Sequence, residues 1–371
     1  MNRSEDPRVD ADTQLAVHEL GGEPLCAYSN QAVRSIVNDP ATFSSAVSRH
    51  LQIPNGLDGE EHARFRTLID AYLAPEVVAP LESRFQKVAA DVLEALPPSE
   101  AIDAVMEIGA PFAVKAMIAW LGWPVSMAPQ LVQWVKDNQK ATRSQDPKQT
   151  AEIARRYDEM IRAVITPLME HPDQTVTSQL VHDRSAGREL EPPEIVSILR
   201  NWTAGDLGSM AACIAVVLEG LSDQPHLQEH LAKGASQREW DAIINEFLRI
   251  DDPFVSNRRV ATRDVEVAGV RIRKGQQLRV HWTAANRDPQ AFEVDEFRPE
   301  EHASNNVVWG EGPHACPGRA LSLLEIRVCV QELLSRYRVR RTHGRDERER
   351  YPVGGWRRLE VELLPLGASV V

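Results

Sequence analysis

The sequence predicts a mainly α protein with small β-sheet regions, and three features carry that reading. Segments near 78–96, 103–121, 148–169 and 192–222 place apolar residues at i, i+3 and i+4, the period of an amphipathic helix. The last of these, EIVSILRNWTAGDLGSMAACIAVVLEGLS, is apolar almost throughout; at about 1.5 Å per residue it is long enough to cross a whole domain. After Ile250 the texture changes. RRVATRDVEVAGVRIRKGQQLRVHW alternates apolar and polar residues, as short antiparallel strands do.

The elements follow in order. The first residues, MNRSEDPRVDADTQLAV, are polar and acidic and lack the apolar stretch of a signal peptide. The helical segments fill the middle of the chain. Pro192 and Pro193 open the longest one, because a first helical turn has no N–H bond to lose, and it stops near Gln224-Pro225. Gly269 and Lys274-Gly275 turn the strands that follow, and PVGGWRRLEVELLP repeats the strand texture near the carboxyl end. A small sheet element is therefore expected at each end of the sequence.

The totals narrow the function. With 371 residues, 43% of them hydrophobic, the chain can bury a large core. The four cysteines, Cys26, Cys213, Cys316 and Cys329, form no CxxC pair and no disulfide framework, which fits a reducing cytoplasm. The net charge of −12 argues against nucleic acid as a partner. No run of about 18 apolar residues is evident, so no membrane span is expected. Chemistry on a small molecule is the remaining class.

One cysteine stands out. Cys316 lies in NNVVWGEGPHACPGRALSLLEIR, between Gly312 and Gly318 and just ahead of a helical pattern that begins near Pro317. Glycines let a backbone approach something flat and bulky. A helix amino terminus favours thiolate over thiol. An inert cysteine in a turn would not need two glycines, a histidine and an aromatic at fixed offsets around it.

Trp309-Gly310-Glu311-Gly312-Pro313-His314-Ala315-Cys316-Pro317-Gly318 resembles the haem-binding loop of the cytochrome P450 family, the haem-thiolate monooxygenases. The family usually has Phe where this chain has Trp309, and a flat aromatic is kept. The resemblance runs from about Ala16 to the carboxyl end. It implies the cytochrome P450 fold, with a long central helix over haem b, and Cys316 as the axial thiolate on iron, a ligand that favours O–O cleavage. It also implies one haem domain over 1–371, with a short N-terminal region and no fused reductase. Glu246 and Arg249 match the family's E-x-x-R, with Arg298 as third partner, and are expected to hold the cysteine loop. Ala285 to Pro289, ANRDP, is a further landmark. Two haem propionates need basic partners, because burying unpaired carboxylates costs several kcal/mol each. His62 and Arg66 match an H-x-x-x-R on the helix at one haem edge, Arg259 matches a second propionate-binding position, and His314 is a third. Trp309, Gly310 and Ala204 are expected against the macrocycle.

The chain departs from the family at the oxygen-binding face. The usual A-G-x-[Asp/Glu]-Thr reads Ala204-Gly205-Asp206-Leu207-Gly208-Ser209 here, so Gly208 stands at the threonine position, and Asp206 and Ser209 are each shifted by one residue. Three explanations stay open. Asp206 and Ser209 serve through a bulged helix and ordered water, or the substrate relays the proton, or the enzyme uses peroxide. Peroxide users of this fold place an arginine nearby, and Arg200 lies more than a turn upstream. VHELGGEPLCAYS reads as the first hairpin, with little ahead of it, and FSSAVSRHLQIPNGLDGEEH is a short pocket loop, implying an open mouth or a lid from elsewhere. The turn near Ala141 to Lys148 and the segment Pro352 to Trp356 are candidates for that lid and for pocket lining. Asn201 to Ser209 and Pro253 to Asn257 are expected to line the pocket as well.

The expected reaction inserts one oxygen atom from O2 into a small organic substrate by hydroxylation, dealkylation or epoxidation. Electrons come from a separate ferredoxin or flavodoxin-type donor with its reductase, which Arg64, Arg319 and Arg327 would meet. A peroxide-using or non-redox haem-thiolate enzyme is the alternative, and a haem sensor or carrier is a third class. A cytoplasmic protein without nucleic-acid or membrane partners is expected.

Overall fold

The computed structural model describes residues 17–18, 25–96, 101–293, 296–342 and 344–366. The acidic first residues and the turn of the first hairpin lie outside the described residues. The helices are α1 (Asn30–Val37), α2 (Gly59–Leu73), α3 (Pro75–Val78), α4 (Glu82–Glu94), α5 (Ala110–Leu121), α6 (Ala128–Ser144), α7 (Pro147–Glu170), α8 (Val176–Val181), α9 (Pro192–Ser222), α10 (Pro225–Ala232), α11 (Gln237–Ile250), α12 (Trp282–Ala285) and α13 (Arg319–Leu334). The strands are β1 (Val17–His18), β2 (Cys26–Ala27), β3 (Phe43–Ser44), β4 (Ile102–Asp103), β5 (Ser256–Ala261), β6 (Val265–Val267), β7 (Val270–Ile272), β8 (Gln277–His281), β9 (Tyr337–Arg341), β10 (Glu347–Arg348), β11 (Trp356–Arg358) and β12 (Glu360–Pro365).

Helix α9 is the axis of the molecule. A capping box between Glu191 and Glu194, with prolines in the first turn, starts it. It buries apolar residues on most of its circumference, as a helix in the middle of a core does. Helices α5, α7, α11 and α13 pack around it. Ala104–Leu121 and α9 are each long and apolar enough to cross a membrane, contrary to the expectation from sequence, and 72% and 67% of those windows is buried inside the protein.

Two expected helices are interrupted, each at a proline. The 78–96 segment breaks at Pro80 into a 3-10 turn between α3 and α4. The 103–121 segment begins as a π turn, Ala104–Gly109, before α5. Pro111 has no N–H to return to Glu107, so a regular ladder cannot run through that point. Gly109 is required there: a Cβ would lie 2.7 Å from Ala211 O of α9.

The sheets join distant parts of the chain. The order β1-β2-β8-β5-β3 makes one sheet, in which β2 runs parallel to β8 rather than antiparallel. β4-β12-β9 makes the second, and β6-β7 and β10-β11 are hairpins. The amino-terminal strands thus pair with the strands after Ile250, and the carboxyl-terminal strands pair with β4.

Candidate active site

The cysteine loop is set by backbone bonds. Cys316 N–H donates to Trp309 O at 2.8 Å and Gly310 N–H to Val307 O at 2.8 Å. Gly310 and Gly312 take φ of +69° and +72°, the left-handed region that glycine adopts without penalty. The loop is anchored from α11. Asn245 Oδ1 accepts from Trp309 Nε1 at 2.6 Å, and Asn245 O accepts from Asn306 Nδ2 at 3.0 Å.

Glu246 and Arg249 act further back. Both are fully buried and make two hydrogen bonds, at 2.8 and 2.9 Å. Arg249 Nη1 also donates to Asn286 O, and Asn286 Oδ1 receives Val307 N–H at 2.8 Å, at the root of the cysteine loop. Burial opposes ionisation of Glu246, but Arg249, the Arg298 N–H and His302 together hold its carboxyl below the usual range. The third side chain is His302, whose Nδ1 lies 2.7 Å from Glu246 Oε1. Arg298 gives only its backbone N–H. Its guanidinium turns outward to Glu293, Glu296 and Glu301, where it stays hydrated.

The Cys316 side chain is solvent-accessible. Even so, the protein around it is dense enough that burial pushes its thiol pKa up, more than the Gly318 N–H at the head of α13 pulls it down. A group that is both accessible and deep faces an internal cleft. The expected preference for thiolate therefore needs a cation, and a metal at the sulfur supplies one. Opposite lies α9. Ala204, Gly208, Ser209 and Cys213 are half-buried and Gly205 is exposed, midway along a core helix. A Cβ built at Gly205 or Gly208 would touch nothing within 4 Å. Cys213 and Asp206 on this helix are close enough to act electrostatically with Cys316.

At one end of the cleft sits a basic group. His62 and His314 stack at 4.1 Å between ring centroids. His62 is 5% exposed and its Nε2 is enclosed with no partner. Burial, the other histidine and Arg259 push His314 down to about 4, against the pull of Asp58 at 3.3 Å. Arg259 is buried and donates to Arg258 O; burial lowers its pKa and Asp58 opposes that. Arg66 takes another role: Nη1 donates to Pro313 O and Ala315 O at 2.9 and 2.7 Å, and its Nε pairs with Asp70. It braces the cysteine loop.

The residues fit an iron porphyrin. Among the described residues no three His, Cys, Asp or Glu side chains gather to hold a bare ion. A single accessible thiol therefore suits a metal that arrives with its other ligands. The unpartnered His62 nitrogen and the buried Arg259 suit carboxylates at the rim.

The oxygen-side residues are less simple. Helix α9 runs as unbroken α-helix from 192 to 222, so the bulge that one of the three explanations needs is not there. Ser209 Oγ donates within the helix, to Gly205 O at 2.5 Å and Asp206 O at 3.1 Å. Asp206 Oδ2 is enclosed with no hydrogen-bond partner, and burial pushes its pKa up to about 7. Arg200 is engaged elsewhere, with Nη1 at 2.7 Å from both oxygens of Asp158 and Nη2 at 2.5 Å from Leu51 O. Arg327 is buried against Glu82 at 3.0 Å and does not reach the surface, whereas Arg64 and Arg319 do.

A lone cysteine at the head of a helix, facing a long core helix across a cleft with basic residues at its rim, is the arrangement that a haem-thiolate protein needs. A family model described as Cytochrome P450 matches residues 240–358. A Mycobacterium tuberculosis protein named cytochrome P450 126 is 27% identical over 343 residues, covering 86% of this chain and 82% of that one. Cyclomarin C epoxidase of Salinispora arenicola is 25% identical over 332 residues, covering 84% of this chain and 82% of that one. The open cytochrome P450 EryK of S. erythraea has the same fold, with a TM-score of 0.89 at 23% identity, covering 99% of this chain and 98% of that one. In sequence over most of its length and in fold, the chain is similar to the cytochrome P450 monooxygenases.

Proposed function

We propose that the protein binds haem b through Cys316 and places one oxygen atom from dioxygen into an organic substrate, the other leaving as water. The cysteine loop carries this reading: one accessible thiol, fixed by backbone bonds, across a cleft from the open face of α9. The bound haem iron would supply the activation of dioxygen. The chain's own residues supply position and charge. His62, Arg259 and His314 would hold the propionates, Arg66 and Trp309 brace the loop, and Ala204, Gly205, Gly208 and Gly310 leave room for a flat group. Phe254, half exposed in the segment expected to line the pocket, offers an aromatic face to the substrate. Hydroxylation, dealkylation and epoxidation all suit such a site.

Electrons would come from a separate ferredoxin or flavodoxin-type donor and its reductase. Arg64 and Arg319 are the exposed cations placed to meet an acidic donor; Arg327 is withdrawn from that role. We place the protein in the cytoplasm as a single haem domain. A peroxide-driven reaction is the second reading, favoured by Gly208 and by a Ser209 hydroxyl already committed to the helix. Arg200, bound to Asp158, is not free to hold a substrate carboxylate in the way such a reaction would use it.

The test is the reduced carbon-monoxide difference spectrum. A strongly red-shifted Soret band is expected, and Cys316→Ala should lose it. A band at the position of histidine-ligated haem, or a variant that keeps the red shift, overturns the reading. Turnover with peroxide and none with any electron donor would select the second one.

A further inference from the structure

Trp309 stands where the loop it resembles usually carries Phe, and the two rings differ in one polar group. Both are flat and apolar, but indole has an N–H donor and phenyl has none. A loop built on Phe needs no acceptor beside the ring. A loop built on Trp does, or the donor loses its partner on folding.

The acceptor comes from another element. Asn245 of α11 takes the Trp309 Nε1–H on its side-chain oxygen at 2.6 Å, across 64 positions of sequence. Both residues are half-buried. Asn245 also grips the loop a second time. Its backbone oxygen accepts from Asn306 Nδ2 at 3.0 Å, and Asn306 Oδ1 accepts the Val308 N–H at 2.9 Å. Trp309 passes the constraint on, because its carbonyl accepts the Cys316 N–H at 2.8 Å. The indole is therefore fixed by α11 at its nitrogen, and the same residue touches the backbone of the cysteine. This path is separate from that of Glu246 and Arg249, which reaches the loop through Asn286 and Val307.

The Asn245 bond also excludes something. An indole N–H deprived of the amide oxygen turns to another acceptor, and a thiolate is an ionised one. Hydrogen bonds to ionised groups are roughly twice as strong as neutral ones. A donor on the sulfur stabilises its negative charge and weakens its donation to a metal. Hydrogen bonding around a ligand sulfur is one of the levers that set a metal's potential.

We propose that Asn245 is a positioning residue for the thiolate. It occupies the indole N–H of Trp309 and so keeps that donor off the sulfur of Cys316. The sulfur then keeps the donor strength it would have beside a phenyl ring, although the ring is an indole. The proposal rests on the haem-thiolate reading above.

The test is a set of three variants read by the ferric–ferrous midpoint potential, with the carbon-monoxide spectrum beside it. The variants are Asn245→Leu, Trp309→Phe and the two combined. Leucine is close in size to asparagine but has no acceptor, and the substitution leaves the backbone bond to Asn306 in place. Asn245→Leu should favour ferrous iron about tenfold, about 59 mV for one electron, and move the carbon-monoxide Soret band to shorter wavelength. Trp309→Phe should keep the wild-type potential, because it removes a donor that Asn245 already occupies. Asn245→Leu added to Trp309→Phe should change nothing further, because no N–H is left to release.

A brace that merely stiffens the loop predicts otherwise. Both single variants cut the same tie, so both would shift alike, and that result overturns the proposal. An unshifted potential in Asn245→Leu overturns it too, and leaves the haem-thiolate reading standing. If Asn245→Leu fails to hold haem, the combined variant decides. Recovered haem with the wild-type potential shows that the stray N–H was at fault and supports the proposal. Continued loss overturns it. A wild-type protein without the thiolate spectrum removes the haem-thiolate reading itself, whatever the variants do.

Discussion

Two glycines show how differently one residue type is used around this cleft. Gly312 has φ +72°, and a Cβ there would sit 2.7 Å from Val37 O. Gly208 is helical, and a Cβ there would meet nothing within 4 Å. Gly312→Ala should therefore cost about 1–2 kcal/mol for the left-handed backbone alone, and more for an overlap with a carbonyl that cannot swing away. Gly208→Ala should gain about 0.5–1 kcal/mol, because the unfolded chain loses freedom and the helix loses nothing. Thermal melts of the two variants, stripped of haem, should move in opposite directions. A shift of the same sign in both would refute the contrast. The loop pattern around Cys316 was legible because its parts are neighbours in sequence. His302 was not, since its bond to Glu246 spans 56 positions.

At the scale of elements, the cysteine loop is held by a chain of bonds that starts in α11. Glu246 and Arg249 fix Asn286, and Asn286 fixes Val307. Arg249→Ala strands a buried carboxylate, which costs about 3–5 kcal/mol. The first visible loss should be order in 305–318, read as weaker haem binding before global unfolding. If haem affinity and global stability fall together, the anchoring role is wrong. The junction of α9 with α13 makes a second prediction, about pH. Asp206 has a folded pKa raised to about 7, while an unfolded aspartate titrates near 3.9. Between those values the unfolded state ionises and the folded state does not. Stability is therefore full at low pH and falls as pH rises, by up to about 1.4 kcal/mol per unit per proton, levelling near neutrality for Asp206. Asp206→Asn should flatten the fall in denaturant titrations. A slope equal to the wild type's would show that Asp206 is not linked to folding. The existence of α9 and α13 followed from their apolar period. The π turn at 104–109 did not, because Pro111 breaks a ladder without breaking the pattern.

Over the whole molecule, the short pocket loop is fastened to the central helix. Ile53 N–H donates to Ser197 Oγ at 2.8 Å, Ser197 Oγ donates to Leu51 O at 3.0 Å, and Asn201 Nδ2 donates to Ile53 O at 2.7 Å. Arg200 joins this loop to α7 by holding Leu51 O and Asp158 at once. A second tie joins other segments, where Arg143, at the end of α6, meets the buried Glu349 at 2.6 Å. Burial raises Glu349 and Arg143 opposes it. The ties are separate in the chain. Amide hydrogen exchange distinguishes them without a known substrate. Arg200→Ala should speed exchange in the 51–57 loop and in the middle of α7 together, because one guanidinium serves both. Arg143→Ala should speed exchange in 141–150 and 347–356 and leave the 51–57 loop protected. Protection lost by about 1.4 kcal/mol is a tenfold faster opening, well within what exchange resolves. If Arg200→Ala loosened the loop and left α7 unchanged, the loop and α7 would move independently, and Arg200 would not be the tie between them.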